Sequence, residues 1–275
     1  MNAPGCSRSE PPARAAWPRA WHMPVQLRTG SACSAELPAL LQGRRAVVLA
    51  FAQAEALGAR QRLLPQAEWL YVPDGLASLD AARALSARLW PLMDDQTALV
   101  ALGGGTVMDL AKWLRHRPAL GFEALCEALR EGRPAPGRKA LLVLLPSTAG
   151  TGSEVSRSAT LWDLQAGSKL SLDPAWADAA LVDPDWTHSV PLDVTLDSGL
   201  DALAHALEAL WNRQAQPLTD ALALAAALGA WLDRLGVSFA CIEPEHADDA
   251  WQQALRGERG RHFIAAPQLA CAGTG

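Results

Sequence analysis

The sequence predicts an α/β domain built on a parallel sheet, followed by an all-α domain. Short apolar runs alternate with helical segments over the first two thirds of the chain, which is typical of βα units around a buried parallel sheet. Glycine-rich loops follow two of these runs directly. Beyond residue 194 the remaining predicted segments are helical, so we place the domain boundary near residue 185.

Composition and charge indicate a globular protein with a small-molecule ligand. The chain has 275 residues, 50% of them hydrophobic, with a net charge of −5. An acidic chain without a basic block argues against nucleic acid as the main partner. The longest apolar helical run, residues 221–232, is too short for a membrane span. Five cysteines without a C-x-x-C pair favour a reducing cytoplasm. A homo-oligomer is an open alternative to a monomer.

The α/β elements are predicted over residues 25–185. Residues 1–24 are rich in Pro and Arg, and we expect a disordered tail there. Buried apolar runs predict the strands, which cover residues 45–51, 68–72, 97–102, 140–145 and 179–182. Helical periodicity predicts the helices, which cover residues 54–64, 78–92, 107–115 and 120–130. An irregular hairpin is expected from residues 158–163 and 169–172.

The helical half is predicted for residues 186–275, with helices at 195–211, 218–235 and 246–257. Thr195 and Ser198 both suit the start of the first helix, because their hydroxyl oxygens can accept a backbone N–H. Asp201 and His205 lie four residues apart in that helix, so their side chains project from one face. Such a pair can hold one divalent cation, or it can form a simple Asp–His hydrogen bond.

The first glycine-rich loop joins the strand 97–102 to a helix. Gly103, Gly104, Gly105 and Thr106 expose backbone N–H groups at a helix N-terminus, an arrangement that suits a pyrophosphate. A tight strand–helix turn is the alternative. Asp109 either accepts hydrogen bonds from loop N–H groups or favours the helix start.

The second loop, residues 146–156, follows the strand 140–145. Its hydroxyls from Ser147, Thr148 and Thr151 can surround a ribose or phosphate, since ligands of open parallel sheets bind at the carboxyl ends of the strands. An ordinary polar loop is the alternative. Lys169 is either a donor to a ribose hydroxyl or a surface lysine.

The motifs GGGTVMDLAK, LPSTAGTGSEVS, Lys169 with Asp183-Pro184, and SGLDALAHALEALW occur in this order. Together they resemble the iron-containing (type III) alcohol dehydrogenase family, which shares its fold with dehydroquinate synthase. The resemblance covers roughly residues 24–240. It implies an NAD- or NADP-binding α/β domain and a dehydroquinate synthase-like helical domain.

The resemblance also implies roles for individual residues. The Gly103–Thr106 turn corresponds to the segment that holds the NAD(P) pyrophosphate, and Ser147, Thr148 and Thr151 correspond to the adenine and ribose side. Lys169 corresponds to the lysine near the nicotinamide ribose. Asp201 and His205 correspond to ligands of a divalent metal, Fe²⁺ or alternatively Zn²⁺, which polarises an alcohol or aldehyde oxygen for hydride transfer.

The segments RRAVVLAF and EVSRSATLWD are most similar in sequence to the corresponding segments of family members that reduce phosphonoacetaldehyde in phosphonate metabolism. Arg157 is a candidate partner for the phosphonate by its position in the sequence. The segment 45–52 contains no acidic residue, whereas the family usually places one after this strand to bind the adenosine ribose. Without this acidic residue, NADP is an alternative to NAD as the cofactor.

The family's two remaining metal-binding histidines have no counterpart in a matching context. His246 and His262 are interpreted as surface or disordered residues. We therefore expect a C-terminally truncated or frameshifted helical domain, an exposed apolar patch, weak metal binding and little dehydrogenase activity. The alternatives are a nucleotide-binding protein without catalysis and a relative of glycerol dehydrogenase or dehydroquinate synthase.

Overall fold

A six-stranded parallel sheet forms the centre of the computed structural model, which describes residues 21–234. Its strands lie in the spatial order β1, β10, β7, β4, β2, β3. They are Gln26–Thr29 (β1), Arg45–Phe51 (β2), Glu68–Val72 (β3), Thr97–Gly103 (β4), Leu141–Pro146 (β7) and Ala179–Val182 (β10). Two short antiparallel pairs lie outside the sheet, His116–Arg117 (β5) with Arg138–Lys139 (β6), and Ala159–Asp163 (β8) with Ser168–Leu172 (β9).

Helices cover both faces of the sheet. They are Leu37–Leu40 (α1), Ala59–Leu63 (α2), Leu79–Leu89 (α3), Gly105–Leu114 (α4) and Phe122–Arg130 (α5). Buried side chains of α3, α4 and α5 pack on one face, and those of α1 and α2 pack on the other. Every residue of β4 is buried, because this strand lies between β7 and β2 and has a helical layer on each side.

Two long helices, Leu192–Trp211 (α6) and Pro217–Arg234 (α7), follow the last strand. They meet through alanines, with Ala206 against Ala226 and Ala209 against Ala223. Several large apolar side chains of the pair are exposed, namely Leu192, Leu196, Leu200, Trp211, Leu218 and Leu224. Whether these side chains form the expected apolar patch stays a prediction. Within residues 21–234, no helix has both the length and the apolar character that a bilayer crossing requires.

The structure confirms the five predicted sheet strands and adds β1. The segment Gln26–Thr29 (QLRT) lacks an apolar run, so its sequence resembles a loop, yet it pairs in parallel with β10 at the sheet edge. The predicted helix 54–64 is wrong in its first half. A turn at residues 52–54 and a left-handed Gly58 precede α2, which begins only at Ala59.

The predicted helix start at Thr195 or Ser198 is also wrong. The helix α6 begins at Leu192 after Pro191, so both residues lie inside it. Their hydroxyls donate to carbonyl oxygens four residues earlier, Thr195 to Pro191 at 2.9 Å and Ser198 to Val194 at 2.5 Å. This back-bonding is a common alternative to capping for hydroxylic residues in a helix interior.

Candidate functional site

The two glycine-rich loops meet at the carboxyl edge of the sheet. Strands β4 and β7 are parallel neighbours, and their register pairs Gly103 with Pro146. The Ser147 N–H donates to the Gly103 carbonyl at 3.0 Å, so the second loop begins directly beside the first. Parallel pairing therefore brings together segments that lie more than forty residues apart in the sequence.

The first loop presents the N-terminus of α4. Gly104 is the N-cap residue, and no side chain caps it. The first N–H groups of a helix have no intrahelical acceptor, and the helix dipole adds partial positive charge there. Thr106 donates its hydroxyl to the Gly75 carbonyl at 3.3 Å, which ties this turn to the loop after β3. The predicted uncapped helix N-terminus is thus present at Gly103–Thr106, and anion binding there stays a prediction.

The second loop explains why glycine is needed in the first. A Cβ added to Gly105 would lie 2.8 Å from the Thr151 methyl carbon, and one added to Gly104 would lie 3.0 Å from the Thr148 hydroxyl oxygen. Such separations are shorter than normal carbon contacts. The glycines therefore allow the two loops to pack closely, besides any approach that they permit to a ligand.

Asp109 joins α4 to the far end of the second loop. Its carboxylate accepts from the Ser153 hydroxyl at 2.6 Å and from the Thr160 N–H at 2.9 Å. Of the two roles predicted for Asp109, acceptance from loop groups is the one observed, although the donors belong to the second loop and to β8.

Lys112 lies one helical turn after Asp109 and is fully buried, with 0% exposure. Its ammonium donates to the Ser156 carbonyl at 3.1 Å, the Ser156 hydroxyl at 2.9 Å and the Ser158 carbonyl at 3.0 Å. Burial lowers the pKa of Lys112 to about 8, and the carboxylates of Asp109 and Glu154 oppose this change. All three donors of the ammonium are thereby used.

Glu154 is a buried residue of the second loop, with 1% exposure. Neither carboxylate oxygen has a hydrogen-bond partner. Burial raises its pKa to about 7, while the nearby backbone N–H of Glu154 itself and the charge of Lys112 act in the opposite direction. Glu154 also borders a small pocket whose lining includes Thr148, Asp183 and Thr187.

Asp183 stabilises the other wall of this pocket. Its carboxylate accepts from the Ala32 and Ser34 N–H groups at 3.1 and 3.0 Å and from the Ser34 hydroxyl at 2.5 Å. It also accepts from the Asp185 N–H at 3.1 Å. The residue that follows β10 therefore anchors the segment between β1 and α1.

Lys169 and Arg157 lie on or beside the β8–β9 hairpin. The exposed Lys169 places its ammonium nitrogen 4.3 Å from the centroid of the Trp162 ring, a cation–π contact. Its role near a nicotinamide ribose stays a prediction. Arg157 forms an ion pair with Asp173 at 2.5 Å, so this candidate for a phosphonate partner already contacts a carboxylate.

Asp201 and His205 lie on one face of α6, as the spacing predicts. The Asp201 Oδ2 and His205 Nδ1 atoms are 3.6 Å apart, and both side chains are partly exposed. Two ligands of a tetrahedral Zn²⁺ ion stand about 3.4 Å apart, so the pair fits one cation. Within residues 21–234, no group of three or more His, Cys, Asp or Glu side chains could hold a metal. His246 and His262 lie outside the described residues.

The second loop also touches α6. A Cβ added to Gly150 would lie 2.7 Å from the Ser198 carbonyl oxygen and 2.9 Å from its Cα. Ser198 precedes Asp201 by three residues, a rise of about 4.5 Å along the helix axis. The Asp201–His205 pair therefore begins about one helical turn from the loop that borders the glycine turn.

Two residues of the site, Lys112 and Glu154, received no role from the sequence. Each stands inside a motif that was itself noticed, GGGTVMDLAK or GTGSEVS. The available signal, for Lys112, was a charged residue among apolar ones, because a charge at a buried position needs partners. Only the folded chain shows that Lys112 has such partners and that the Glu154 oxygens do not.

Family comparison agrees with the fold and the order of the motifs. The sequence model described as iron-containing alcohol dehydrogenase matches residues 24–184. The model described as the C-terminal part of the Fe-containing alcohol dehydrogenase family matches residues 195–229.

Individual relatives match parts of the chain. Aldehyde-alcohol dehydrogenase 2 of Entamoeba histolytica is 40% identical over 139 residues, which is 46% of this chain and 16% of that protein. An alcohol dehydrogenase of Thermococcus barophilus is 37% identical over 133 residues, which is 46% of this chain and 35% of that protein. The chain thus matches about a third or less of the length of these curated relatives.

Solved structures share the fold. Sulfoacetaldehyde reductase of Bifidobacterium kashiwanohense, solved in complex with NAD⁺, superposes with a TM-score of 0.72 and 22% sequence identity. The superposition covers 93% of this chain and 67% of that one. At this identity the comparison supports the architecture described above.

Proposed function

Because the chain belongs to the iron-containing alcohol dehydrogenase family, we propose that its two loops bind a nicotinamide dinucleotide for alcohol oxidation or aldehyde reduction. One observation carries the proposal. The uncapped N-terminus of α4 and the hydroxyl-rich second loop lie side by side at the carboxyl edge of a parallel sheet. Dinucleotides bind in this position in such sheets.

The residues of the two loops bind different parts of the cofactor. The N–H groups of Gly105 and Thr106 donate to the pyrophosphate, whose negative charge the helix dipole favours. Ser147, Thr148 and Thr151 donate hydroxyls to the adenosine side. Lys169 donates to the nicotinamide ribose. NAD is the cofactor that we propose first, and NADP is the alternative because residues 45–52 contain no carboxylate.

Asp201 and His205 are the residues that we propose to hold a divalent metal, Fe²⁺ before Zn²⁺. Their separation suits one cation, and α6 contacts the cofactor loop at Gly150. When bound, the metal supplies a Lewis acid for the substrate oxygen, and the dinucleotide supplies or accepts the hydride. The aspartate orients the imidazole and lowers the net charge of the pair.

The substrate that we propose is a short aldehyde carrying an anionic group, with phosphonoacetaldehyde as the specific candidate. The sequences of the segments RRAVVLAF and EVSRSATLWD support this substrate. The sulfoacetaldehyde reductase of the same fold acts, by its name, on an aldehyde of related charge. Because Arg157 is paired with Asp173, the first anion contacts that we propose are backbone N–H groups rather than this arginine.

Cofactor and metal binding are tested separately. Fluorescence titration of the purified chain with NADH and with NADPH should show saturable binding of at least one, and binding of neither would refute the cofactor proposal. Anaerobic titration with Fe²⁺ should give a metal-binding signal. Asp201→Ala or His205→Ala should abolish that signal. Glu208→Ala, an exposed carboxylate on the same helix, is the matched control and should leave that signal unchanged.

A second candidate is a nucleotide-binding protein without catalysis. It is favoured by the finding that, among the residues the structure describes, Asp201 and His205 gain no third ligand of the His, Cys, Asp or Glu type. Two protein ligands rarely retain a catalytic metal. NADH oxidation with phosphonoacetaldehyde in the presence of Fe²⁺ separates the two candidates, because only the first predicts turnover.

A further inference from the structure

The fully buried Lys112 connects two segments that the proposed cofactor would touch. Lys112 belongs to α4, whose N-terminus carries the glycine turn. Its ammonium binds Ser156, the last residue of the second loop, and Ser158 just after it. An ammonium in a protein interior is retained at a considerable desolvation cost. Here that cost is offset by three hydrogen bonds within 3.1 Å.

Asp109 acts beside it on the same helix face. Its carboxylate accepts from the Ser153 hydroxyl and the Thr160 N–H, so α4 is bonded to the second loop next to Glu154 and to β8, which follows the loop. The other end of the loop is held by the Ser147 N–H on the Gly103 carbonyl. Between these anchors, the side chains of Thr148 and Thr151 rest against Gly104 and Gly105.

We propose that Lys112 is a positioning residue that latches the second loop, residues 147–156, onto α4 and so sets the spacing of the two halves of the cofactor site. The inference rests on the proposed function only where cofactor affinity is concerned. Lys112 touches no ligand in this scheme. Its effect passes through Ser156, Ser158 and the loop that they terminate.

The latch makes a prediction about the ligand-free protein. In Lys112→Met the side chain keeps its length and apolar stem, while the Ser156 and Ser158 carbonyls lose their donor. Hydrogen exchange measured by mass spectrometry should become about tenfold to a hundredfold faster in peptides covering residues 153–160, the range expected for a lost charge-assisted hydrogen-bond group. Peptides from β4 should keep their protection.

Cofactor affinity is the second readout. The Kd of Lys112→Met for NADH should rise by about tenfold or more, because the loop must be ordered again on binding. Arg115→Met is the matched control, since Arg115 is equally buried near the end of α4 but binds Ala140, Trp176 and Asp178 instead of the loop. It should lower thermal stability without changing exchange at residues 153–160 or NADH affinity.

The latch proposal and the proposed cofactor function are refuted by different outcomes. Unchanged exchange at residues 153–160 in folded Lys112→Met overturns the latch, and so does an equal loss of NADH affinity in Arg115→Met. If the parent chain binds neither NADH nor NADPH, the proposed function fails and the exchange experiment alone decides the latch. If Lys112→Met does not fold, Ser156→Ala removes the hydroxyl that accepts from the Lys112 ammonium, and absence of faster exchange at residues 153–160 in that variant refutes the proposal.

Discussion

The buried carboxyl of Glu154 makes the stability of this protein depend on pH. Its oxygens lack partners, and burial raises its pKa from 4.5 to about 7. Below pH 4.5 the Glu154 carboxyl is protonated in both the folded and the unfolded chain. Its contribution to the free energy of unfolding is therefore fully present there. Between these values only the unfolded chain ionises, and stability falls as pH rises through the pKa of the folded state.

The perturbation that tests this is Glu154→Gln. The amide keeps the shape of the protonated carboxyl and cannot ionise. Each unit of difference between the folded and unfolded pKa is worth about 1.4 kcal/mol, so the parent should lose about 2 to 3 kcal/mol between pH 5 and pH 7.5 through this group. The free energy of unfolding of Glu154→Gln, measured relative to the parent, should rise by the same amount.

Urea unfolding followed by tryptophan fluorescence measures both free energies at each pH. Titrating groups that do not interact with Glu154 cancel when the variant is compared with the parent at the same pH. Lys112 does not cancel, because the charge of Glu154 raises its pKa. Glu55→Gln removes an exposed carboxylate and is the control, whose difference from the parent should be equal at pH 5 and pH 7.5. A difference between Glu154→Gln and the parent that does not change with pH would refute the reasoning.

Three further predictions concern close contacts. Gly105→Ala should weaken NADH binding about tenfold or more by displacing the second loop. Gly229→Ala should not, because among the described residues nothing outside its own stretch of helix lies within 4 Å of the added Cβ. Gly150→Ala drives a Cβ against the Ser198 backbone and should lower the free energy of unfolding by about 1 to 3 kcal/mol in urea. Asp183→Ala leaves two backbone N–H groups between β1 and α1 without their acceptor and should cost about 3 kcal/mol, measured likewise.

The strands and the site loops could be predicted because their signals are local. Apolar runs mark β2, β3, β4, β7 and β10, since a strand buried on both faces needs apolar side chains throughout. The edge strand β1 carries no such run, and its pairing with β10 depends on a segment about 150 residues away. Local periodicity therefore cannot detect it.

Helix boundaries were harder to predict, for a related reason. Thr195 and Ser198 have the chemistry of N-caps, but the same hydroxyls bond equally well to carbonyls inside a helix. Pro191 and the packing of α6 against the second loop decide the outcome in favour of an earlier start.

The sequence by itself determined the family, the order of the βα units, the glycine turn at 103–106 and the shared face of Asp201 and His205. Each of these follows from residue types at short, regular spacings. The tertiary structure alone decided that Lys112 binds the second loop, that the Glu154 oxygens find no partner and that Gly150 meets Ser198. These relations join segments about forty residues or more apart, or depend on how deeply the fold buries a group, and neither is encoded in local spacing.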